Sequence, residues 1–186
     1  MQLSEPADIG LRERLEIVDY SRSLLGMKDL TGERAISRND CSGFVLGVYQ
    51  TLGYKVRLNE NPGATSVSHR LFETLEAHGL VYFKPPTKQA DVVFFKRTTE
   101  ESGDYVSHVG IVDEILEDGT IKILSYTSRG VTELRMNLVT PHLHKDENGN
   151  VINDFLKKKS PLKENEELLA GELFFSFGDL LKYTVL

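Results

Sequence analysis

The sequence predicts an α+β fold in which N-terminal helices pack on a small antiparallel sheet. In the first part of the chain, apolar residues recur at helical spacing. Short segments rich in β-branched and aromatic residues follow, separated by turn-forming residues. Two of these segments flank residues 117–120, "EDGT", whose Asp-Gly pair favours a tight hairpin turn. Helices followed by strands along the chain are typical of an α+β domain.

Three helices are predicted before the strands, spanning residues 8–25, 41–52 and 66–78. Asp8 and Asp40 are suitable N-caps for the first two, and a glycine follows each of the three. The residues expected to face the core are Leu11, Leu15, Val18 and Leu25 in the first helix, Phe44, Val45, Val48 and Leu52 in the second, and Val67, Leu71 and Leu75 in the third.

Five strands are predicted after the helices, at "LVYFK", "ADVVFF", "SHVGIVDEIL", "TIKILSY" and "VTELRM". The polar stretch that follows is expected to be a loop. The apolar segment at residues 166–181 is predicted to form an extra C-terminal helix. The whole chain, residues 1–186, is expected to form a single domain, with a core over residues 11–136 and a C-terminal extension over residues 137–186.

Composition excludes several classes of function. The 186 residues carry a formal net charge of -6, which argues against a nucleic-acid partner because such binding needs clustered Lys and Arg. The basic run at residues 157–159 is balanced by nearby glutamates and is expected to be a solvated surface segment. No stretch approaches the ~20 apolar residues needed to span a bilayer.

A metal or other cofactor is not expected. The single cysteine, Cys41, cannot form an intramolecular disulfide or a thiolate zinc site alone. His142 and His144 lie in a polar loop without a fixed carboxylate partner, which favours solvated side chains over a metal site.

Cys41 is a candidate nucleophile because it directly precedes an apolar helical segment. The free N–H groups and positive dipole of a helix N-terminus stabilise a thiolate. The alternative is a buried cysteine that only fills space. A thiol nucleophile generally needs a histidine base. Among the five histidines, His108 stands out because it opens a predicted strand next to Gly110, where backbones can approach closely.

Three sequence blocks resemble the NlpC/P60 cysteine peptidases. They are "DCSGF" at residues 40–44, "ADVVFF" at 90–95 and "SHVGIV" at 107–112, in the family's order and at compatible spacing. The resemblance implies a papain-like core with Cys41 as nucleophile and His108 as base. It also implies hydrolysis of amide bonds in bacterial cell-wall peptides, so that a peptidoglycan stem peptide or related peptide would be the substrate.

Further site residues follow from the same resemblance. In this family the Asp and Ser that flank the nucleophile often help to place the substrate, and here these are Asp40 and Ser42. Ser107, beside His108, is a further candidate for substrate binding. The alternative for Asp40 and Ser42 is plain N-capping. The third catalytic position, usually His, Asn or Gln, aligns with Ser125, whose hydroxyl is expected to accept from His108 Nδ1–H. Tyr126, Thr127, His142 and His144 are alternatives in that role.

Besides Ser125 at the third catalytic position, two further departures from the family indicate a divergent member. Residues 27–37, "MKDLTGERAIS", stand where the family tends to carry a tyrosine and paired glycines, and Ala90 replaces a usual glycine. Two functions therefore remain as alternatives to a hydrolase. One is a catalytically weak or inactive module that binds wall peptide or a protein partner, and the other is a thiol acyltransferase. A cell-wall substrate indicates that the protein is located in the cell envelope, either periplasmic or secreted, if a leader has been removed. A cytoplasmic location is the alternative.

Overall fold

The computed structural model describes residues 10–61, 63 and 66–186. Three helices come first, followed by five strands and then a C-terminal region with a further strand between two short helices. The helices are α1 Leu11–Ser23, α2 Cys41–Thr51, α3 Val67–Ala77, α4 Ala170–Leu173 and α5 Leu180–Thr184. The strands are β1 Val81–Tyr82, β2 Val92–Lys96, β3 Val106–Ile115, β4 Thr120–Thr127, β5 Gly130–Asn137 and β6 Phe174–Gly178. The predicted α+β class is confirmed.

The six strands form one sheet in the order β1-β6-β2-β3-β4-β5, and each neighbouring pair is antiparallel. The predicted hairpin is the β3–β4 connection, where Ile115 pairs with Ile121. Gly119 in its turn has a φ of +88°, a conformation that glycine adopts without steric cost. The hairpin prediction is therefore confirmed.

Both faces of the sheet are covered. The three N-terminal helices pack on one face, where Val92 and Phe94 of β2 point. Val93 and Phe95 point to the other face and pack against residues of the C-terminal region, including Ala170 and Leu173. Because β2 is buried on both sides, its sequence is a continuous apolar run without alternation.

The predicted core face of the first helix is wrong except at Val18. Val18 is fully buried as predicted, but Leu11, Leu15 and Leu25 are 48%, 43% and 44% exposed, and Ile17, which was not predicted, is fully buried. Arg14 is also buried, and the inner face is built around its ion pairs. Helical spacing of apolar residues alone cannot show a face that contains a charged side chain. Asp8, the expected N-cap, lies outside the described residues.

The predicted C-terminal helix is also wrong. Residues 166–181 contain a four-residue helix and then strand β6, which lies between β1 and β2. Its aromatic residues favour a strand, and Gly178 permits close packing. A Cβ atom at Gly178 would lie 2.6 Å from Leu75 Cδ1 of α3. This segment completes the sheet instead of adding a helix to it.

Candidate active site

Cys41 is the first residue of α2, and Asp40 is the N-cap, as the sequence predicts. The Asp40 carboxylate accepts a hydrogen bond of 2.6 Å from Gly43 N–H, and its carbonyl accepts one of 2.9 Å from Phe44 N–H. Gly43 is required for space, because a Cβ atom there would lie 2.4 Å from the Arg38 carbonyl oxygen. Helix capping and close packing therefore explain the Asp and the Gly of the "DCSG" block.

The Cys41 thiol is partly buried and surrounded by polar groups. Ser68 Oγ of α3 lies 3.4 Å from the Cys41 sulfur. Burial alone would raise the thiol pKa. The charge and hydrogen bond of His108, with hydrogen bonds from Ser68 and the Val109 backbone N–H, outweigh it and lower the Cys41 pKa to about 7. Much of the thiol is therefore ionised at neutral pH.

His108 reaches this site from β3. Its Nε2 lies 2.5 Å from Ser125 Oγ on the neighbouring strand β4, and Ser125 is fully buried. Gly110 allows the two strands to pack closely here, since a Cβ atom would lie 2.5 Å from Ile123 Cγ2. The structure thus brings Cys41, His108 and Ser125 together.

The ring nitrogen of His108 that was predicted to contact Ser125 is wrong. Ser125 was expected at His108 Nδ1, but it contacts Nε2. With Nε2 occupied by Ser125, Nδ1 is the nitrogen left for the Cys41 sulfur. The orientation of the His108 ring cannot be predicted from the sequence, because it depends on how α2, which carries Cys41, and β4, which carries Ser125, pack around the ring.

The alternatives to Ser125 have other contacts. Tyr126 Oη donates a hydrogen bond of 2.5 Å to the Lys28 carbonyl, and Thr127 Oγ1 lies 3.4 Å from the Gly130 carbonyl. His142 Nδ1 lies 2.9 Å from a Glu172 carboxylate oxygen, so this histidine does have the carboxylate partner that the sequence did not predict. His144 Nδ1 lies 2.7 Å from the Asn153 carbonyl.

The site opens into a groove of about 730 Å³. Asp40 and Ser107 line it, and Ser107 Oγ also lies 2.7 Å from Thr98 Oγ1. Ser42 is buried outside the groove lining. Its hydroxyl donates to the Asp40 carboxylate over 2.8 Å and accepts from Arg38 over 2.7 Å. Ser42 therefore supports the N-cap and does not reach the groove, so its predicted substrate contact is not found.

The predicted solvated lysine run is wrong for Lys157. Its side chain is only 10% exposed, lines the groove, and pairs with Glu166 and Glu100. The pair with Glu100 attaches the C-terminal region to the loop after β2. Sequence reasoning missed Lys157 and also Ser68, because neither belongs to a motif and both reach the site only through the tertiary fold.

The "ADVVFF" block has a structural role. Asp91 is buried and accepts a hydrogen bond of 2.6 Å from Arg14 and another from Tyr82. Burial raises the Asp91 pKa despite these contacts. Ala90 has a φ of +68°, in the left-handed region, which explains why a glycine suits this position.

Comparisons with known proteins give distant structural likenesses only. No protein-family model matches the sequence, and no curated protein matches it. An NlpC/P60 family protein from Bacillus cereus is similar in structure, with 15% identity, a TM-score of 0.46, and alignment over 96% of this chain and 41% of that one. An N-acetylmuramoyl-L-alanine amidase from Staphylococcus aureus has 15% identity and a TM-score of 0.42, over 73% of this chain and 34% of that one. The chain spans less than half the length of either protein, and this level of likeness does not establish membership of a family.

The described residues show neither a membrane-spanning helix nor a metal-binding cluster. None of their helices is both long and apolar enough to cross a bilayer. They also contain no group of three His, Cys, Asp or Glu side chains placed to hold a metal ion.

Proposed function

We propose that the protein is a cysteine peptidase or amidase with a papain-like site that hydrolyses amide bonds in peptidoglycan stem peptides or related peptides. The observation that supports this best is the contact chain from Cys41 through His108 to buried Ser125 beside an open groove. The substrate class rests on the three ordered sequence blocks, "DCSGF", "ADVVFF" and "SHVGIV".

The first step is acylation of the enzyme. The Cys41 thiolate attacks the amide carbonyl carbon, and a bond forms between sulfur and carbon. As the tetrahedral intermediate collapses, the carbon–nitrogen bond breaks and protonated His108 gives its proton to the leaving amine. The product of this half-reaction is a thioester on Cys41 and a free amine.

The N-terminus of α2 supplies stabilisation for the developing oxyanion. Gly43 N–H and Phe44 N–H are already bonded to Asp40. The N–H groups of Cys41 and Ser42 have no hydrogen-bond acceptor in the described part of the chain. They belong to the first turn, whose dipole favours negative charge, and so they are suitable donors to an oxyanion.

The second step is deacylation. Neutral His108 removes a proton from water as the water oxygen attacks the thioester carbonyl. The carbon–sulfur bond then breaks, the acid product leaves, and the Cys41 thiolate is restored. Ser125 keeps the His108 ring in place through both steps by its contact with Nε2.

Digestion of purified peptidoglycan tests this function, with Cys41→Ala as the control. We expect the wild-type protein to release peptide fragments that mass spectrometry identifies and that the variant does not release. Fragments that are equally abundant with both proteins, or absent from both, would contradict the hydrolase assignment on this substrate. Binding of peptidoglycan without release would favour the binding module. Transfer of the acyl group to an added amine in preference to water would favour the acyltransferase.

A further inference from the structure

The groove continues beyond the catalytic residues into a second arm of about 480 Å³. Thr127, Ser128, Leu156, Lys157 and Lys158 line both parts, so the two are contiguous. We call this second part the basic arm. A substrate that reaches Cys41 can therefore extend along the groove into it.

The charge of the basic arm is opposite to that of the whole protein. Four cationic residues line it and no carboxylate does, although the chain has a net charge of -6. Lys157 is already paired with Glu100 and Glu166. The other three, Arg129, Lys158 and Lys159, make no ion pair with any described residue.

The floor of the basic arm is apolar. Leu134 is only 2% exposed, and Leu156 and Leu168 are partly buried beside it. Above this floor the side chains of Arg129, Lys158 and Lys159 are exposed, so their charges act at the water-accessible rim of the arm. The unpaired cations also repel one another, and an anion bound among them relieves that repulsion.

We propose that the basic arm binds a carboxylate of the substrate while the scissile carbonyl lies at Cys41. This proposal rests on the proposed function, which places the cleaved bond at Cys41. It adds the substrate class, which is a peptide with a free carboxylate beyond that bond. Lys158 lines both parts of the groove and so stands where the chain of the substrate passes between them. Arg129 offers the planar group that pairs with a carboxylate through two hydrogen bonds.

Binding of a matched pair of ligands tests the proposal. The probes are a tetrapeptide stem with free carboxyl groups and the same peptide with those groups converted to carboxamides. The Cys41→Ala protein prevents turnover, and isothermal titration calorimetry measures affinity. Two exposed ion pairs contribute up to ~1 kcal/mol each, so we expect the free acid to bind about tenfold more tightly.

The double substitution Lys158→Gln with Arg129→Gln should abolish this preference. The control is Lys84→Gln with Lys88→Gln, which removes the same charge from exposed residues that do not line either part of the groove. Equal affinity for the two peptides, no binding of either, or an equal loss in the control would overturn the proposal. An oligonucleotide that displaces the peptide and depends on Lys158 and Arg129 would also overturn it, because the arm would then be a phosphate site.

Turnover by the wild-type protein separates this proposal from the proposed function. Cleavage of both peptides with equal kcat/KM would overturn the basic arm alone. Cleavage of neither peptide, with the binding preference intact, would overturn the hydrolase and leave the carboxylate site standing.

Discussion

At the scale of single residues, the reactivity of Cys41 depends on a balance of opposing effects. Burial favours the neutral thiol, while His108, Ser68 and the Val109 N–H favour the thiolate. Since the stabilising groups come from two other elements, α3 and β3, both must be in place before α2 carries a reactive thiol. The helix start by itself is only one part of the site.

The pH dependence of Cys41 alkylation tests this balance. The thiolate is the reactive form, so the rate of reaction with iodoacetamide should rise with pH through a midpoint of about 7. His108→Ala removes the largest stabilising group, and the midpoint should move upward. A wild-type midpoint near ~8.5 that does not change in His108→Ala would contradict an activated thiolate.

Ser125→Ala tests the positioning of His108. The variant removes the hydroxyl at His108 Nε2 and leaves a small buried side chain. A hydrogen bond of this kind contributes ~1 to 1.5 kcal/mol, so we expect kcat to fall about tenfold with little change in KM. Thr132→Ala, on the adjacent strand β5, is the control. Equal losses in both variants would show that Ser125 has only a general structural role.

At the scale of elements, a buried amide contributes four hydrogen bonds that hold the C-terminal region in place. Asn153 is fully buried, and its Oδ1 accepts from Asn137 N–H over 2.8 Å and Gly171 N–H over 2.9 Å. Its Nδ2 donates to the carbonyls of Thr140 and Leu143 over 3.0 and 2.9 Å. All four hydrogen-bonding positions of the amide are therefore occupied by backbone groups.

Asn153→Ala should lower the free energy of unfolding by about 3 kcal/mol, because four backbone groups lose their partner in a dry environment. Urea denaturation measures the change. The exposed Asn148→Ala serves as a control and should change stability by less than ~0.5 kcal/mol. Equal stabilities of the two variants would mean that the C-terminal region does not depend on this amide.

The elements differ in how much of their structure could be predicted from the sequence. Helices α2 and α3 and the β3–β4 hairpin follow from local signals, namely caps, apolar spacing and an Asp-Gly turn. Strand β6 does not, because its apolar run suits either a buried helix or a buried strand, and only its place between β1 and β2 decides the outcome.

At the scale of the whole molecule, a buried ion-pair cluster connects distant parts of the chain. Arg14 of α1 pairs with Asp91 before β2 over 2.6 Å and with Asp179 before α5 over 3.0 Å. The Asp179 carboxylate also accepts from Lys182 N–H and so caps α5. One guanidinium therefore ties the first helix to the centre of the sheet and to the last helix.

Arg14→Met should destabilise the fold by about 3–5 kcal/mol, because it leaves the buried Asp91 carboxylate without its cation. The control is Arg12→Met, whose ion pair with Glu16 is on the surface, and its cost should stay below ~1 kcal/mol. Thermal or urea unfolding compares the two. A loss in Arg14→Met no larger than in Arg12→Met would contradict a structural role for the cluster.

Some residues of the site can be predicted from local sequence, and others are found only from the tertiary fold. The sequence blocks point to Cys41 and His108, and the alignment of "ILSYTSRGV" points to Ser125. Lys157 and Ser68 carry no sequence signal, since their place depends on how the C-terminal region and α3 pack. The orientation of the His108 ring likewise depends on its two neighbouring elements.

The formation of a thioester on Cys41 tests the central claim most directly. Wild-type protein is mixed with soluble peptidoglycan stem peptides, quenched in acid within milliseconds to seconds, and analysed by intact-protein and peptide mass spectrometry. We expect a transient added mass equal to the acyl part of the substrate, located on Cys41 and absent from Cys41→Ala. Release of peptide products with no adduct on Cys41 at any quench time, or release that persists in Cys41→Ala, would contradict nucleophilic catalysis by this cysteine.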